Sequence, residues 1–443
     1  MTTTETWVDS FRSVLPQTVG SGISWLDAMR KRALDRFAAE GWPSTRQDGW
    51  RHTSLALIER AALQLRDKAV VSPGLRKQVA ALRQEQPGFW LTFVDGVFVP
   101  DLSDTETATP GAVIRPLSLA LSSHADGVQA RFGDESQGSA PAALSLALGG
   151  DGAYIHVDAG VVLDAPVHLL FVSATGATVA NPRNLITLER DAKATIIEHY
   201  IADPDHREVE PTLTNAVTRT QVAEQAELTH VKMQQERENA FHLALIDSEQ
   251  AAHSSFNSHS MSFGARLARN DIRTAFGGPH CHTLLNGLYY VNARRHVDHN
   301  TLIDHAHPNG ISREYYRGIL ADMGRGVFGG RILVAPGADG TDAVQRSDSL
   351  LLSRMARADA KPELEIYADD VSCAHGATVG QIDENAMFYL RTRGLDEVHA
   401  RNLLTYAFAG QAIDRLDLPV LRQQVAGMIR DRLPGGAMLG DIA

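Results

Sequence analysis

Two side chains near the C-terminus have the types and the spacing to do chemistry together: Cys373 and His375. They lie in the segment 371–380, VSCAHGATVG, directly after a strand-like run that ends at Asp369 and Asp370. In an extended strand, residues two positions apart project from the same face. The thiol and the imidazole would then lie side by side, where they could bind a soft metal, carry sulfur or meet the surface of another subunit.

A purely structural role is the alternative for this cysteine, because free cysteine is among the most buried residue types. The residues around it are small, namely Ser372, Ala374 and Gly376, and small residues suit close approach by another backbone or subunit. A reactive cysteine must be a thiolate, and a neighbouring imidazolium would favour that form. Both interpretations of Cys373 stay open on the sequence alone.

Histidines also concentrate between residues 280 and 307. They occur in three short groups: His280-Cys281-His282, His296-Val297-Asp298-His299-Asn300 and Asp304-His305-Ala306-His307. These side chains suit zinc or iron, but their spacing matches no finger or helical metal motif. Strand geometry would place three pairs on common faces: His280 with His282, Asp298 with Asn300, and His305 with His307. We predict a polar ladder on the outside of a sheet, with a metal or cluster contact as the alternative.

Familiar motifs of nucleotide binding and of hydrolysis do not occur in the sequence. It contains neither a Gly-x-x-x-x-Gly-Lys-Ser/Thr loop nor a Gly-x-Ser-x-Gly elbow, so we do not expect this chain to bind ATP through a P-loop. The glycine-rich runs 324–326 and 328–330 predict tight turns rather than a phosphate cradle. The charged run 313–317 predicts a solvated strand or turn.

Composition restricts the class of protein. The 443 residues are 44% hydrophobic and 21% charged, as in ordinary globular proteins, and the length predicts two or three domains. A net charge of −11 argues against a nucleic-acid partner. Two cysteines cannot form a disulfide framework, and residues 1–7 show no secretory pattern, so we expect a cytoplasmic protein with reduced thiols. The most apolar stretch, about 161–172, is interrupted by Asp164 and Pro166, which argues against a membrane span.

Helical patterns are restricted to the two ends of the chain. Before about residue 85, apolar residues recur at helical spacing, with Ser24 as the predicted N-cap of one helix and Gly41 at its end. After Gly380, Asp383 and Asp396 are predicted to cap two further helices, and a last amphipathic stretch covers 418–433.

The middle of the chain has a β pattern. Short apolar-rich runs follow small-residue turns at Ala159, Ala192 and Ala226, which are 33 and 34 residues apart. We favour a solenoid over a β-sandwich, because many of these strands alternate apolar with polar residues, as a coil with one face in its core requires. We therefore predict a mainly β protein with a helical and mixed N-terminal domain (1–145), a solenoid core (146–370) and a C-terminal segment (371–443) that starts with the Cys-His strand and continues as helices.

Several segments near the C-terminus carry a resemblance to a known family. They are 361–371 (KPELEIYADDV), Cys373, 375–380 (HGATVG) and 388–391 (FYLR) with Arg393-Gly394. They resemble the SufB/SufD family of the Suf iron–sulfur cluster assembly system. The D-type (SufD) branch fits better, because B-type subunits usually carry GHEATV where this chain has 374–379 (AHGATV), and have additional cysteines. The departures from the family pattern, at residues 372 and 374, would lie on the face opposite the Cys-His pair.

The resemblance implies a fold and a role. The fold would be a right-handed parallel β-helix flanked by N-terminal and C-terminal helical domains. The role would be that of a non-catalytic scaffold that pairs with a SufB-like subunit through the β-helix, with a homodimer as the alternative for the isolated chain. The C-terminal helices would dock a SufC-like ATPase, and we expect Tyr389, Arg393 and Asp396 to contribute. His375, with Cys373 beside it, would take part in building a transient iron–sulfur cluster at the subunit interface.

The resemblance also leaves some points open. It implies no cofactor that this chain binds stably by itself, and it does not decide whether a flavin takes part. One alternative is a purely structural partner with no ligand role. Another is a β-helix enzyme that acts on polysaccharide, which the sequence disfavours.

Overall fold

The computed structural model describes residues 3–12, 15–104, 109–134, 138–206 and 210–436. Met1 and Thr2, part of the segment that bears on a secretory signal, lie outside these ranges. No helix in the described ranges is long and apolar enough to cross a lipid bilayer.

Within the described residues, ten α-helices flank or cover a central β structure. Seven lie in the first 148 residues, the last three of them after the first strands: α1 (Thr3–Arg12), α2 (Ser24–Glu40), α3 (Ala56–Glu59), α4 (Pro73–Glu85), α5 (Leu117–Ser123), α6 (Ala125–Arg131) and α7 (Ala140–Leu148). Three follow the last strand: α8 (Glu384–Thr392), α9 (Glu397–Ile413) and α10 (Pro419–Arg432).

The helix ends follow the capping signals closely. Gly41 ends α2 at φ 68°, and the N-cap is Ile23, one residue before the predicted Ser24. The carboxylates of Asp383 and Asp396 cap α8 and α9 as predicted, each by accepting a backbone N–H in the first turn.

Twenty strands in the described part of the chain form the β structure. They are β1 (Phe89–Val94), β2 (Val97–Phe98), β3 (Ala112–Pro116), β4 (Ala153–Val157), β5 (Val167–Ser173), β6 (Val179–Ala180), β7 (Arg183–Leu188), β8 (Lys193–Ala202), β9 (Leu213–Val222), β10 (Glu227–Gln234), β11 (Phe241–Gln250), β12 (Ser255–Ser262), β13 (Leu267–Phe276), β14 (His282–Val291), β15 (His296–His305), β16 (Ile311–Leu320), β17 (Arg325–Val334), β18 (Thr341–Leu351), β19 (Arg357–Ile366) and β20 (Val371–Gly380).

These strands build a parallel β-solenoid of about eight turns, which confirms the predicted fold class. One sheet has the order β2-β1-β5-β8-β10-β12-β14-β16-β18-β20. The other runs β19-β17-β15-β13-β11-β9-β7-β4-β3, with β6 also paired to β9. Alternate residues of both sheets point inward and form one continuous core, which includes Ile196, Leu228, Phe256, Leu285 and Phe328.

Two sequence predictions about this region are wrong. Gly326, Gly329 and Gly330 do not form turns but lie within β17. Segment 313–317 is not solvated throughout, because it lies in β16 and turns Glu314 and Tyr316 fully into the core. The alternation of a solenoid strand sends every second residue inward whatever its polarity, and charge alone does not reveal this.

Helices from opposite ends of the chain cover the outer faces of the two sheets. The front helices pack against outward-facing residues of the second sheet, including Leu185, Leu243 and Leu267. The tail helices α9 and α10 pack against outward-facing residues of the first sheet, including Val231 and Met261. The last turns of the solenoid extend beyond this cover, as shown by the exposure of residues along β19 and β20.

Candidate functional site

The last strand, β20, positions the Cys-His pair. It lies parallel to β18, with Cys373 opposite Ala343 and His375 opposite Gln345. Ala343 and Gln345 are both buried in the solenoid core. Because register partners on neighbouring strands point to the same side, Cys373 and His375 both face the interior, at its open end. The two side chains therefore share a face, as their spacing indicates.

The open end of the solenoid is formed by β19 and β20. Each ends its sheet, and in the described part of the chain each is paired along one edge only, β19 with β17 and β20 with β18. Leu364, Val371 and Cys373 are only partly buried against the core, and most residues of β19 and β20 are exposed or partly exposed. The final turn thus presents unpaired backbone groups and a partly open core.

The Cys373 thiol is protonated in this setting. Burial raises its pKa; a backbone hydrogen bond with Ala343 lowers it by less, and Asp342 adds a still smaller increase. This direction is opposite to the one expected from a neighbouring imidazolium. Binding of a metal or of sulfur at this position would therefore require loss of the thiol proton.

The first histidine group does not share a strand face as predicted. His280 lies in a turn at φ 58° and stacks on His253 with ring centroids 4.8 Å apart. Cys281 is fully buried, and His282 begins β14. The turn interrupts the period of two, so the predicted pairing of His280 with His282 is wrong.

The other two histidine groups are distributed over both sides of the second sheet. Asp298 and Asn300 share the outer face as predicted, since Asn300 Nδ2 donates to Asp298 Oδ1 at 2.6 Å. His299 and His305 are fully buried instead of outside, and His307 lies beyond the end of β15, so its predicted pairing with His305 is wrong. The described residues contain no group of three or more His, Cys, Asp or Glu side chains arranged to hold a metal ion.

Of the predicted docking residues, Tyr389 lies on α8, and Arg393 and Asp396 lie in the short link between α8 and α9. Helix α8 has no buried residue, and its Phe388 and Tyr389 are 71% and 56% exposed. Arg393 lies over the Tyr389 ring at 5.1 Å and donates to its hydroxyl at 3.1 Å. Asp396 is the N-cap of α9, and its carboxylate also contacts His399 at 2.6 Å. Tyr389 and Arg393 form one exposed unit, whereas Asp396 has a capping role.

Two buried polar residues near the open end were not indicated by the sequence analysis. Glu314 and Gln345 lie one below the other in the core, and Gln345 is the register partner of His375. The available signal was the period of two in a strand, which puts Glu314 on the same face as Ser312 and Tyr316, both of them buried.

Two family models together match most of the chain. The SufBD protein N-terminal region matches residues 1–169. The SufBD core domain of SUF-system FeS cluster assembly matches residues 171–408, a range that contains β20 and α8. The chain belongs to the SufB/SufD family.

Curated relatives agree with this family membership. The iron–sulfur cluster assembly protein SufD of Escherichia coli is 33% identical over 416 residues, covering 91% of this chain and 92% of that protein. A SufBD family protein of Synechocystis is 31% identical over 411 residues, covering 91% and 90%. The SufD protein of Bacillus subtilis is 24% identical over 424 residues, covering 93% and 94%. The predicted resemblance to the D-type branch of the SufB/SufD family is confirmed.

Proposed function

We propose that this SufB/SufD protein is a non-catalytic scaffold subunit for iron–sulfur cluster assembly. It pairs with a SufB-like subunit through the open end of its β-helix and docks a SufC-like ATPase through its C-terminal helices. The cluster is cargo that forms between the two scaffold subunits, and the chain holds no cofactor of its own. The observation that carries the proposal is the position of Cys373 and His375 on the last, half-paired strand of the solenoid.

The open edge supports a partner of the same architecture. A strand edge offers a row of N–H and C=O groups that another strand can complete. Both β19 and β20 are ten residues long, so two sheets can be continued at once. A partner with its own solenoid would satisfy both edges and would cover Leu364 and Val371, which the chain leaves half-exposed.

The chemistry of the pair supports a role at that junction. A neutral imidazole is a good ligand for iron, and a thiol becomes a sulfur ligand once its proton is lost. One strand supplies only these two groups from one side. Completion of a ligand set therefore requires groups from the facing subunit, which agrees with a cluster that forms only in the complex.

Helix α8 supports ATPase docking. A helix with exposed aromatic side chains and no buried residue gains little from the rest of this chain, whereas aromatic residues are typical anchors of protein interfaces. A groove of about 480 Å³ lies between this helix and residues 351–354, and its polar lining includes Arg391 and Arg401. We expect the ATPase to cover Phe388 and Tyr389.

The role of His375 can be tested by His375→Ala in the purified complex with the SufB-like and SufC-like subunits. We expect the complex to form with its normal mass, and cluster formation, followed by visible absorbance, to be lost or strongly slowed. The exposed His307 provides the control, and His307→Ala should leave cluster formation unchanged. Normal cluster formation by the His375→Ala complex would favour the alternative of a purely structural partner.

The docking proposal has a separate test. A double substitution, Phe388→Ala with Tyr389→Ala, should remove the ATPase from the intact complex as measured by native mass spectrometry, while the SufB-like subunit stays bound. Leu119, another exposed apolar residue, lies on α5, and Leu119→Ala serves as the control. Retention of the ATPase by the double variant would contradict docking at α8.

A further inference from the structure

A line of polar side chains runs through the solenoid core to His375. Glu314 on β16, Gln345 on β18 and His375 on β20 are successive register partners on the inner face of the first sheet. Neighbouring strands lie about 4.8 Å apart, so each of these side chains can contact the next. The line leads from a fully buried carboxyl group to the exposed end of the coil.

Glu314 is an unusual residue for this position, because it is fully buried and no cation among the described residues faces it. Its neighbours are Leu285 on β14, Gln345 on β18 and the Thr301 hydroxyl on β15. Burial raises its pKa to about 7, against smaller lowering effects of Thr301 and Gln345. A buried carboxyl group without a charged partner costs stability, so packing does not explain its presence.

Gln345 connects this carboxyl group to the last strand. Its Nε2 donates to Glu314 Oε2 at 2.6 Å. The amide is therefore oriented with its nitrogen toward the carboxyl group, and its Oε1 is left as the acceptor. This oxygen is buried, and within the described residues it has no hydrogen-bond partner. A buried carbonyl oxygen of this kind is expected to find a donor, and the adjacent side chain in the register is His375.

We infer that Glu314 is a positioning residue that acts through Gln345 to set the orientation and the tautomer of His375. The carboxyl group orients the amide, and the amide oxygen accepts the N–H of one imidazole nitrogen. The other imidazole nitrogen then carries the lone pair and faces the open end. Imidazole ligands are held in this way in many metal sites, where the second ring nitrogen donates to a carbonyl or carboxylate group.

The use of this arrangement rests on the proposed function, but its geometry can be tested in the chain alone. The full chain is labelled with ¹⁵N-histidine, and the two ring-nitrogen signals of His375 are measured at pH 8 and assigned by their loss in His375→Gln. We expect one protonated and one bare nitrogen in the native chain. In Gln345→Leu and Glu314→Leu we expect both signals to shift toward the averaged values of a free imidazole.

Two further variants separate positioning from general structure. Glu314→Gln keeps an acceptor for the Gln345 amide and should retain the native tautomer, whereas the surface change Gln84→Leu should have no effect. In the complex, Glu314→Leu should slow cluster formation by about 10- to 100-fold, the usual effect of losing an outer-shell partner. If Glu314 had a purely structural role, Glu314→Leu would lower the unfolding free energy but leave the ring-nitrogen signals of His375 unchanged.

The possible outcomes decide the inference. Native ring-nitrogen signals of His375 in both Gln345→Leu and Glu314→Leu would overturn it. If Glu314→Leu fails to fold, Gln345→Leu decides alone. Should His375→Ala leave cluster formation intact while the tautomer responds to Glu314→Leu, the proposed function fails and the positioning inference stands.

Discussion

Buried histidines make the stability of this chain sensitive to mild acid, and we predict a steep loss between pH 7.5 and 5.5. Within the described residues seven histidines are almost fully removed from solvent, and the prediction is built on five of them: His168, His199, His259, His299 and His305. Burial is the main cause that lowers the pKa of each, to about 4 for His168, His259 and His305 and to about 3 for His199 and His299. All five are therefore neutral in the folded chain at pH 5.5.

The size of the loss follows from the difference between folded and unfolded states. An unfolded histidine has a pKa of about 6.5, so below that pH the unfolded state binds protons that the folded state cannot. Each histidine then costs about 1.4 kcal/mol of unfolding free energy between pH 7.5 and 5.5, or about 7 kcal/mol for the five. The loss begins as the pH falls through about 6.5 and ends only near the folded pKa values.

Buried carboxyl groups oppose this loss. Burial raises the pKa of Glu314 to about 7, so on acidification the folded state takes up a proton that an unfolded glutamate binds only near pH 4.5. This proton uptake raises the unfolding free energy by about 2 kcal/mol as the pH falls from 7.5 to 5.5. Asp95 and Asp151, whose pKa values burial also raises, act in the same direction. The expected net loss is about 3–5 kcal/mol, which is a large part of the stability of a typical protein.

Urea unfolding followed by tryptophan fluorescence at pH 7.5, 6.5 and 5.5 measures this slope. His299→Gln should reduce the loss of unfolding free energy between pH 7.5 and 5.5 by about 1.4 kcal/mol, because it removes one of the histidine contributions. The exposed His307 is the matched control, and His307→Gln should leave the slope unchanged. An unfolding free energy that changes by less than about 1 kcal/mol between pH 7.5 and 5.5 would refute the argument, since the buried imidazoles would then be charged in the folded chain.

Three further predictions concern stability at neutral pH. Lys232 is fully buried, and its Nζ is hydrogen-bonded to a buried histidine and a buried asparagine. In urea unfolding, Lys232→Met should therefore lower the unfolding free energy by about 3–5 kcal/mol. Lys193 is exposed, and Lys193→Met should change the unfolding free energy by less than about 1 kcal/mol. Gly318 faces the buried Tyr289 ring, which an added methyl group would overlap, so Gly318→Ala should cost about 1–3 kcal/mol and lower the thermal midpoint. Gly410 on α9 has open space beside it, so Gly410→Ala should raise the unfolding free energy by about 0.5–1 kcal/mol. An unchanged or lower unfolding free energy would contradict the open space at this position.

The sequence predicts the architecture well because turns repeat. Small-residue turns at Ala159, Ala192 and Ala226 precede β5, β8 and β10, which the structure pairs in parallel register. An Asp-Gly pair is typical of a hairpin turn, and Asp95 and Gly96 both adopt positive φ and join two antiparallel strands. Local signals of this kind are short-range and therefore visible in one sequence.

The sequence does not predict which polar residues are inside. The core of this solenoid contains an ionic and hydrogen-bonded network that includes Glu198, His230, Lys232 and Glu236. Such residues are normally exposed, and only the pairing of one turn with the next shows that their charges and hydrogen bonds are matched in the core. The same long-range pairing places Glu314 beneath Gln345, so the line to His375 could not be derived from spacing.

The two cysteines show why the open end is the part of the fold that can do chemistry. Cys281 and Cys373 both have a pKa raised by burial, so thiol acidity does not distinguish them. Cys281 is enclosed in the core and donates to the carbonyl oxygens of Ala251 and Gly278 at 3.1 and 3.2 Å, which leaves it no free direction of approach. Cys373 has the same inward orientation but lies on the last turn, where a following strand would have to come from another molecule. In a coil whose interior is closed by each successive turn, the final turn can still share its inward side chains with a partner, and His375 is on that turn.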